Sequence, residues 1–330
     1  MLAFVRSFSR SLIGKRVSWN NIEVVKDAQE REYEAFWKAH GSSQTNLKKS
    51  DLKKPKEAWG ADHHQAYTFL KDTDTLVSSN SHTVFRPLNP KIGAEEVVFL
   101  GNFWISPNAP TPTIQQMMKQ QSYDVNFAVG HSMMCANKDT LKWYQKMSGS
   151  KDSVLKHYVS YYDIGDLRIP EKLDISGITV KNARDVPDPD IVKYDAKVFN
   201  YERSKYVLSQ LREDFGRVAY NDKGEVVGFG AISIYPSGEC AITPMYADDK
   251  RVAQAILKNI LEEMTLDSKK YWRLQVLSHD AFPESYGWIR PFVKTMTHRN
   301  ESSMLMCDHK LAGVDFSKVY SSFPLNNCPI

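Results

Sequence analysis

Asp195 and Arg203 stand eight residues apart, close to two helical turns, so a carboxylate and a guanidinium can line one face. So placed, they can act as a base and a binding group for a polar ligand, or they can close an ion pair on each other. A second chemical feature lies at Asp248-Asp249. A β-rich run ends there, and Val252, Ala255, Ile256, Ile260 and Met264 follow at helical spacing. Either Asp can cap that helix. A strand feeding a helix N-terminus presents unpaired N–H groups at the positive end of the helix dipole. That is a site for a phosphate or pyrophosphate, or an ordinary βα connection in a core. Asp62-His63-His64 and His131 are metal-ligand types, but adjacent His residues point in different directions and seldom share one ion, so no metal is expected. No G-x-S-x-G, P-loop or zinc-finger spacing occurs.

These groups need a scaffold, and 216–264 is its most legible stretch. A short apolar run at 218–220 is followed by Asn221-Asp222-Lys223-Gly224, a tight-turn signal, and then by β-rich runs at 226–234 and 239–245. Upstream, 30–39 reads as a helix anchored by Tyr33, Phe36 and Trp37, 46–57 as a Lys-rich solvated loop, and 62–71 as another helix. Strands are expected over 75–78, 81–88, 95–106, 124–131 and 154–163, with helices over 114–120, where Thr113 can cap, and 138–147. Pro170, Pro187 and Pro189 mark a linker at 169–190, within which 178–180 opens a second unit. Later, 272–277 and 303–308 read as strands, 282–293 as irregular, and 320–330 as a loosely packed tail. The domain plan is therefore 1–20, 21–168, 169–190 and 178–330, two units sharing element order more than residues.

A chain of 330 residues exceeds one typical core, and 42% hydrophobic with 25% charged residues describes a soluble globular protein. Cys135, Cys240, Cys307 and Cys328 have no paired metal spacing and read as thiols of a reducing compartment. No apolar run is long enough to span a bilayer. Residues 1–20 carry Arg6, Arg10, Lys15 and Arg16 and no acid, the composition of a mitochondrial transit peptide or of a disordered basic tail; without targeting the chain is cytoplasmic. Those four cations equal the net charge of +4, so the body is neutral and no nucleic-acid partner is expected.

Tyr194-Asp195, Val198-Phe199 and Arg203, followed by 216–264 with Ile242, Pro244 and Ala247-Asp248, resemble the YitH/HolE-type C-terminal domain of the GNAT N-acetyltransferase superfamily. The resemblance covers about 178–310. In the first unit, Ala136-Asn137-Lys138-Asp139-Thr140-Leu141-Lys142-Trp143-Tyr144-Gln145-Lys146 is similar to the superfamily's N-x-x-(small)-x-x-(L/F)-Y-x-K helix. The two-domain build also resembles that of certain nematode proteins. The resemblance implies an α/β chain of two GNAT-like domains in tandem, each a mixed, mostly antiparallel sheet flanked by helices.

It further implies acyl transfer from acetyl-CoA or another acyl-CoA to a small-molecule amine, with no metal; the alternative is an acyl-CoA sensor or scaffold without catalysis. The superfamily's pyrophosphate loop, Q/R-x-x-G-x-G/A, falls on Asp248-Asp249-Lys250-Arg251-Val252-Ala253 in the second unit, where only Ala253 fits and two carboxylates face the phosphates. In the first unit it falls on 107–113, where Pro107, Pro110 and Pro112 remove N–H donors. That loop carries no acid between Pro107 and Met118, so acyl-CoA is expected in the first unit, on Trp104, Ile105 and Ser106 of what the resemblance implies is a splayed strand, with Thr113 and Asn137. Tyr144 then stands as the general acid for the departing thiolate, or as a core aromatic. Asp195, Arg203 and Tyr246 stand on the acceptor side.

Overall fold

The computed structural model describes residues 21–26, 28–41, 47–106, 132–136, 153–267, 269–298, 300–307 and 312–323. Residues 1–20, Thr113, Asn137 and Tyr144 lie outside the described residues, as do the runs 114–120, 124–131 and 138–147.

The first half runs β1 (Ile22–Lys26), α1 (Glu30–Phe36), α2 (Lys54–Trp59), β2 (His63–Leu70), β3 (Thr75–Phe85), β4 (Val97–Ile105), β5 (Ser132–Ala136) and β6 (Ser153–Asp163). The second half repeats that order, with a helix, α5, between its fourth and fifth strands that has no counterpart among the described residues of the first: β7 (Ile178–Asn182), α3 (Asp188–Val198), α4 (Ser204–Glu213), β8 (Phe215–Asn221), β9 (Val226–Ile234), β10 (Glu239–Ala247), α5 (Lys250–Met264), β11 (Arg273–His279) and β12 (Asn300–Cys307), followed by a short β13 (Val319–Ser321).

The described strands form one continuous sheet in the order β1-β2-β3-β4-β5-β12-β6-β11-β10-β9-β8-β7, with β13 on β10. Two neighbour pairs are parallel, β4 with β5 and β10 with β11; the other pairings are antiparallel. At the centre the halves exchange strands. β12, from the end of the second half, lies between β5 and β6, with Leu305 opposite Cys135 on one side and Leu155 on the other. β6, from the first half, in turn lies between β12 and β11. One core accordingly spans both halves, joining Phe85, Phe99, Met133 and Leu155 to Tyr206, Tyr246, Val319 and Phe323. A second core packs α5 on the opposite face of β8–β11 through Val252, Ile256, Ile260 and Leu261.

Four sequence expectations change. The 62–71 segment is the strand β2, not a helix: Gln65, Tyr67 and Phe69 alternate with Ala66 and Thr68 between two antiparallel neighbours. His63 and His64 therefore point to opposite faces, and only His63 is buried. The strands expected at 75–78 and 81–88 are the single strand β3, whose polar Ser-Ser-Asn-Ser-His-Thr segment is fully buried. The 46–57 loop is instead a 3-10 turn and α2, with Lys48 and Lys54 buried against the second half. The 320–330 tail begins inside the sheet, with Phe323 fully buried.

Candidate functional site

A parallel pair inside an antiparallel sheet opens a wedge when its strands diverge, and this occurs in both halves. In the first, β4 pairs with β5 only from Val98 to Leu100, opposite Ser132 to Met134. β4 then continues along β3 for five more residues, Trp104 opposite Ser79 and Ile105 opposite Ser78. Among the described strands, only β3 flanks this 101–105 segment. Trp104, Ile105 and Ser106 stand here, all half-buried. The Trp104 ring meets Phe36 edge-on at 5.7 Å, and the Ser106 amide donates to the Val77 carbonyl at 2.8 Å.

The second wedge is filled by the chain itself. β10 pairs with β11 from Glu239 to Ile242 and then diverges. β13 enters the opening antiparallel to β10, Met245 opposite Ser321 and Tyr246 opposite Val319. Ser321 Oγ donates to the Ile242 carbonyl at 2.8 Å and accepts from the Leu277 amide at 3.1 Å, which ties both arms together. The Ser322 amide donates to the Leu277 carbonyl at 3.1 Å, and His279 Nε2 bonds the Val319 carbonyl at 2.9 Å. Burial holds the His279 imidazole down at about 4 and the neighbouring His157 at about 3, so neither carries charge at neutral pH.

The N-terminus of α5, read from the sequence as a phosphate site or an ordinary βα connection, is closed as well. Asp249 accepts from the amides of Arg251 at 2.7 Å and Val252 at 3.1 Å, the ordinary N-cap geometry. Asp248 accepts from Tyr194 Oη at 3.1 Å and Lys318 Nζ at 2.8 Å. Arg251 turns away to Asp174 and Ser176.

Asp195, Arg203 and Tyr246 are brought together, deep in the core. Arg203 donates to Asp195 twice, Nε to Oδ2 at 3.0 Å and NH2 to Oδ1 at 2.8 Å, and to Tyr246 Oη at 3.2 Å. Its guanidinium carbon lies 4.1 Å from the Phe199 ring centroid and 5.1 Å from that of Phe323. The Arg203 side chain is 0% exposed. Burial raises the Asp195 carboxyl, and the guanidinium opposes that rise. Of the two sequence alternatives, the geometry here is the closed ion pair. Cys240 is buried, and burial pushes its thiol up to about 12. Among the described residues no group of three or more His, Cys, Asp or Glu could hold a metal ion.

Sequence reasoning missed β13. Its signal is the Val319-Tyr320-Ser321-Ser322-Phe323 run, apolar at both ends and too short to show a period.

An antiparallel sheet opened twice at a parallel pair, with the element order repeated, defines the tandem GNAT acetyltransferase fold. A tandem GNAT protein from the clavulanic acid biosynthesis pathway is similar at a TM-score of 0.62 and 8% identity, over 87% of this chain and 98% of that one. A Pyrococcus horikoshii protein designated an acetyltransferase is similar at a TM-score of 0.65 and 16% identity, over 94% and 98% of the two chains. Saccharomyces cerevisiae N-myristoyltransferase, solved with myristoyl-CoA, is similar at 0.62 and 9% identity, over 94% and 87%. No curated protein sequence matches. The chain belongs to the family described as "Protein of unknown function (DUF1248)", whose model matches residues 19–198. Residues 191–270 match the acetyltransferase (GNAT) domain family.

Proposed function

We propose that the protein is an acyl-CoA-dependent N-acyltransferase with one working donor site, in the first half, and a small-molecule amine as acceptor. The observation that carries this reading is the asymmetry of the wedges. In the second half, β13 occupies the edge of β10 as an added strand. An acyl-pantetheine arm, extended and carrying two amides, calls for a strand edge of the same kind. In the first half β4 runs past Leu100 without β5, and Gly101 to Ile105 offer the backbone that would hold the arm. Acyl-CoA, when bound, supplies an activated thioester; acetyl-CoA is the donor we favour. The chain's part is to hold the donor along Trp104, Ile105 and Ser106, with Thr113 and Asn137, and to give a proton to the departing thiolate from Tyr144. The second half is proposed to be of the YitH/HolE type and to support the acceptor side indirectly, by packing on α2, the helix that lies against β2. No metal takes part.

Hydrogen exchange with and without acetyl-CoA tests the donor site. Protection is expected at 101–105 and not at 245–247, with one acetyl-CoA bound per chain. Protection at 245–247, or no binding, overturns the assignment. Tyr144→Phe is expected to lower thiol release on an amine panel at unchanged acetyl-CoA affinity. Binding without thiol release on any amine makes the protein the sensor of the alternative reading. Residues 1–20 are proposed to address the chain to mitochondria; a uniformly cytosolic signal from a tagged full-length chain defeats that.

A further inference from the structure

The first half buries a set of polar groups that its own fold does not use. On the face of β2 and β3 toward α1 and α2, Gln65 stands opposite Ser81, and Tyr67 opposite Ser79. Tyr67 meets Tyr33 and Phe36 of α1 edge-on, while His63, two residues before Gln65, stacks with Trp59 of α2. Gln65 thus lies between the aromatic anchors of the two helices. It is 6% exposed, Tyr67 0% and Ser79 1%. Among the described residues, neither amide atom of Gln65 has a hydrogen-bond partner, nor do Tyr67 Oη, Ser79 Oγ or His63 Nε2. A buried polar atom left unpaired costs its full desolvation, so several on one patch require a reason.

The second half shows that the fold does not demand them. The corresponding face of β8 and β9, toward α3 and α4, carries Val218, Phe229 and Ala231 at equal depth. Position also matters. On β4, Gly101 stands opposite Ser81 and is the first residue beyond the parallel pairing with β5. Its missing side chain leaves no Cβ between the polar patch and the wedge. Directly opposed residues lie about 5 Å apart and same-face neighbours about 7 Å, so the four side chains define a patch the size of one small ligand. None of the four side chains is charged at neutral pH, burial pushing the Tyr67 hydroxyl further up, and the nearby buried acid, Glu32, is engaged by the Gln29 amide at 2.8 Å.

From this we infer that Gln65, Tyr67, Ser79 and Ser81 form the acceptor pocket, built for an uncharged hydroxyl- or amide-bearing body carrying the reacting amine. Gln65 can both donate and accept, and the hydroxyls can rotate to either role, so the patch matches neutral groups and excludes carboxylates and polycations. The inference rests on the first wedge being the donor site.

Two measurements on the full-length protein decide it. Gln65→Met and Ser79→Ala remove unpaired polar atoms, so each variant is expected to melt about 2 °C above the parent without ligand. If these side chains serve the fold instead, both variants melt lower, and the pocket is rejected. The second measurement uses matched probes, 2-amino-1,3-propanediol and isopropylamine, which differ only in their hydroxyls. The diol is expected to stabilise the parent saturably, isopropylamine not, and Gln65→Met to weaken the diol at least tenfold with acetyl-CoA affinity unchanged. Equal stabilisation by both probes, or by neither, overturns the inference. Loss of the donor reading alone shows as absent acetyl-CoA binding with the diol response intact.

Discussion

Arg203 illustrates how little a pair of charges reveals until its surroundings are known. The spacing to Asp195 is readable in the sequence, and so are both alternatives for it. The choice is made by Phe199, Tyr246 and Phe323, which enclose the guanidinium from three separate parts of the chain. Removing one partner of a buried, hydrogen-bonded pair leaves the other unpaired, so Arg203→Ala is expected to cost about 3–5 kcal/mol in chemical denaturation. A variant of parental stability would show that the pair is not a structural one. Glu213 makes a second, pH-readable pair between the halves. Burial alone would raise its carboxyl, but hydrogen bonds from Lys48 and Lys54 prevail and hold it at about 2, against an ordinary 4.5. A depressed carboxyl stabilises the fold above its unfolded pKa and loses that contribution as pH falls through the folded one. Melting temperature is therefore expected to fall between pH 4.5 and 2, and Glu213→Gln to remove part of that slope, on the order of 2 kcal/mol after screening.

At the level of elements, legibility followed local signals. The turn at Asn221-Asp222-Lys223-Gly224 was readable because Asn221 bonds the amides of Lys223 and Glu225 and Gly224 takes a φ of 74°. The strand β2 was not, because its Tyr67 and Phe69 become a β face only against β1 and β3. β13 was least legible, since three residues gain their place from partners elsewhere in the chain. Its Ser321 hydroxyl bridges the two arms of the second wedge, and Ser321→Ala leaves the Leu277 amide and the Ile242 carbonyl short of a partner. We expect a loss of about 1–3 kcal/mol, with faster hydrogen exchange at Leu277. Unchanged exchange there would show that β13 does not hold the wedge.

For the whole molecule, two units in order were legible but not which neighbours each strand takes in the one sheet, because that pairing is nonlocal. The exchange of β6 and β12 makes the halves complete one another. Residues 1–168 and 169–330 produced separately are expected to stay unfolded or aggregate, and to give a soluble complex when co-produced. A folded, monomeric first half in circular dichroism and size-exclusion chromatography would contradict this. The same exchange sets a timetable for synthesis. β6 leaves the ribosome about 140 residues before β12 is complete, a wait of roughly ten to thirty seconds at ordinary elongation rates. Until β11 is made at residue 279, Tyr158, Val159, Tyr161 and Tyr162 sit on a strand with neither neighbour, and from then until β12 is complete with only one. The nascent chain must be kept from self-association until its final third arrives, so the protein's yield in a cell is expected to rise with chaperone supply and to respond to translation speed.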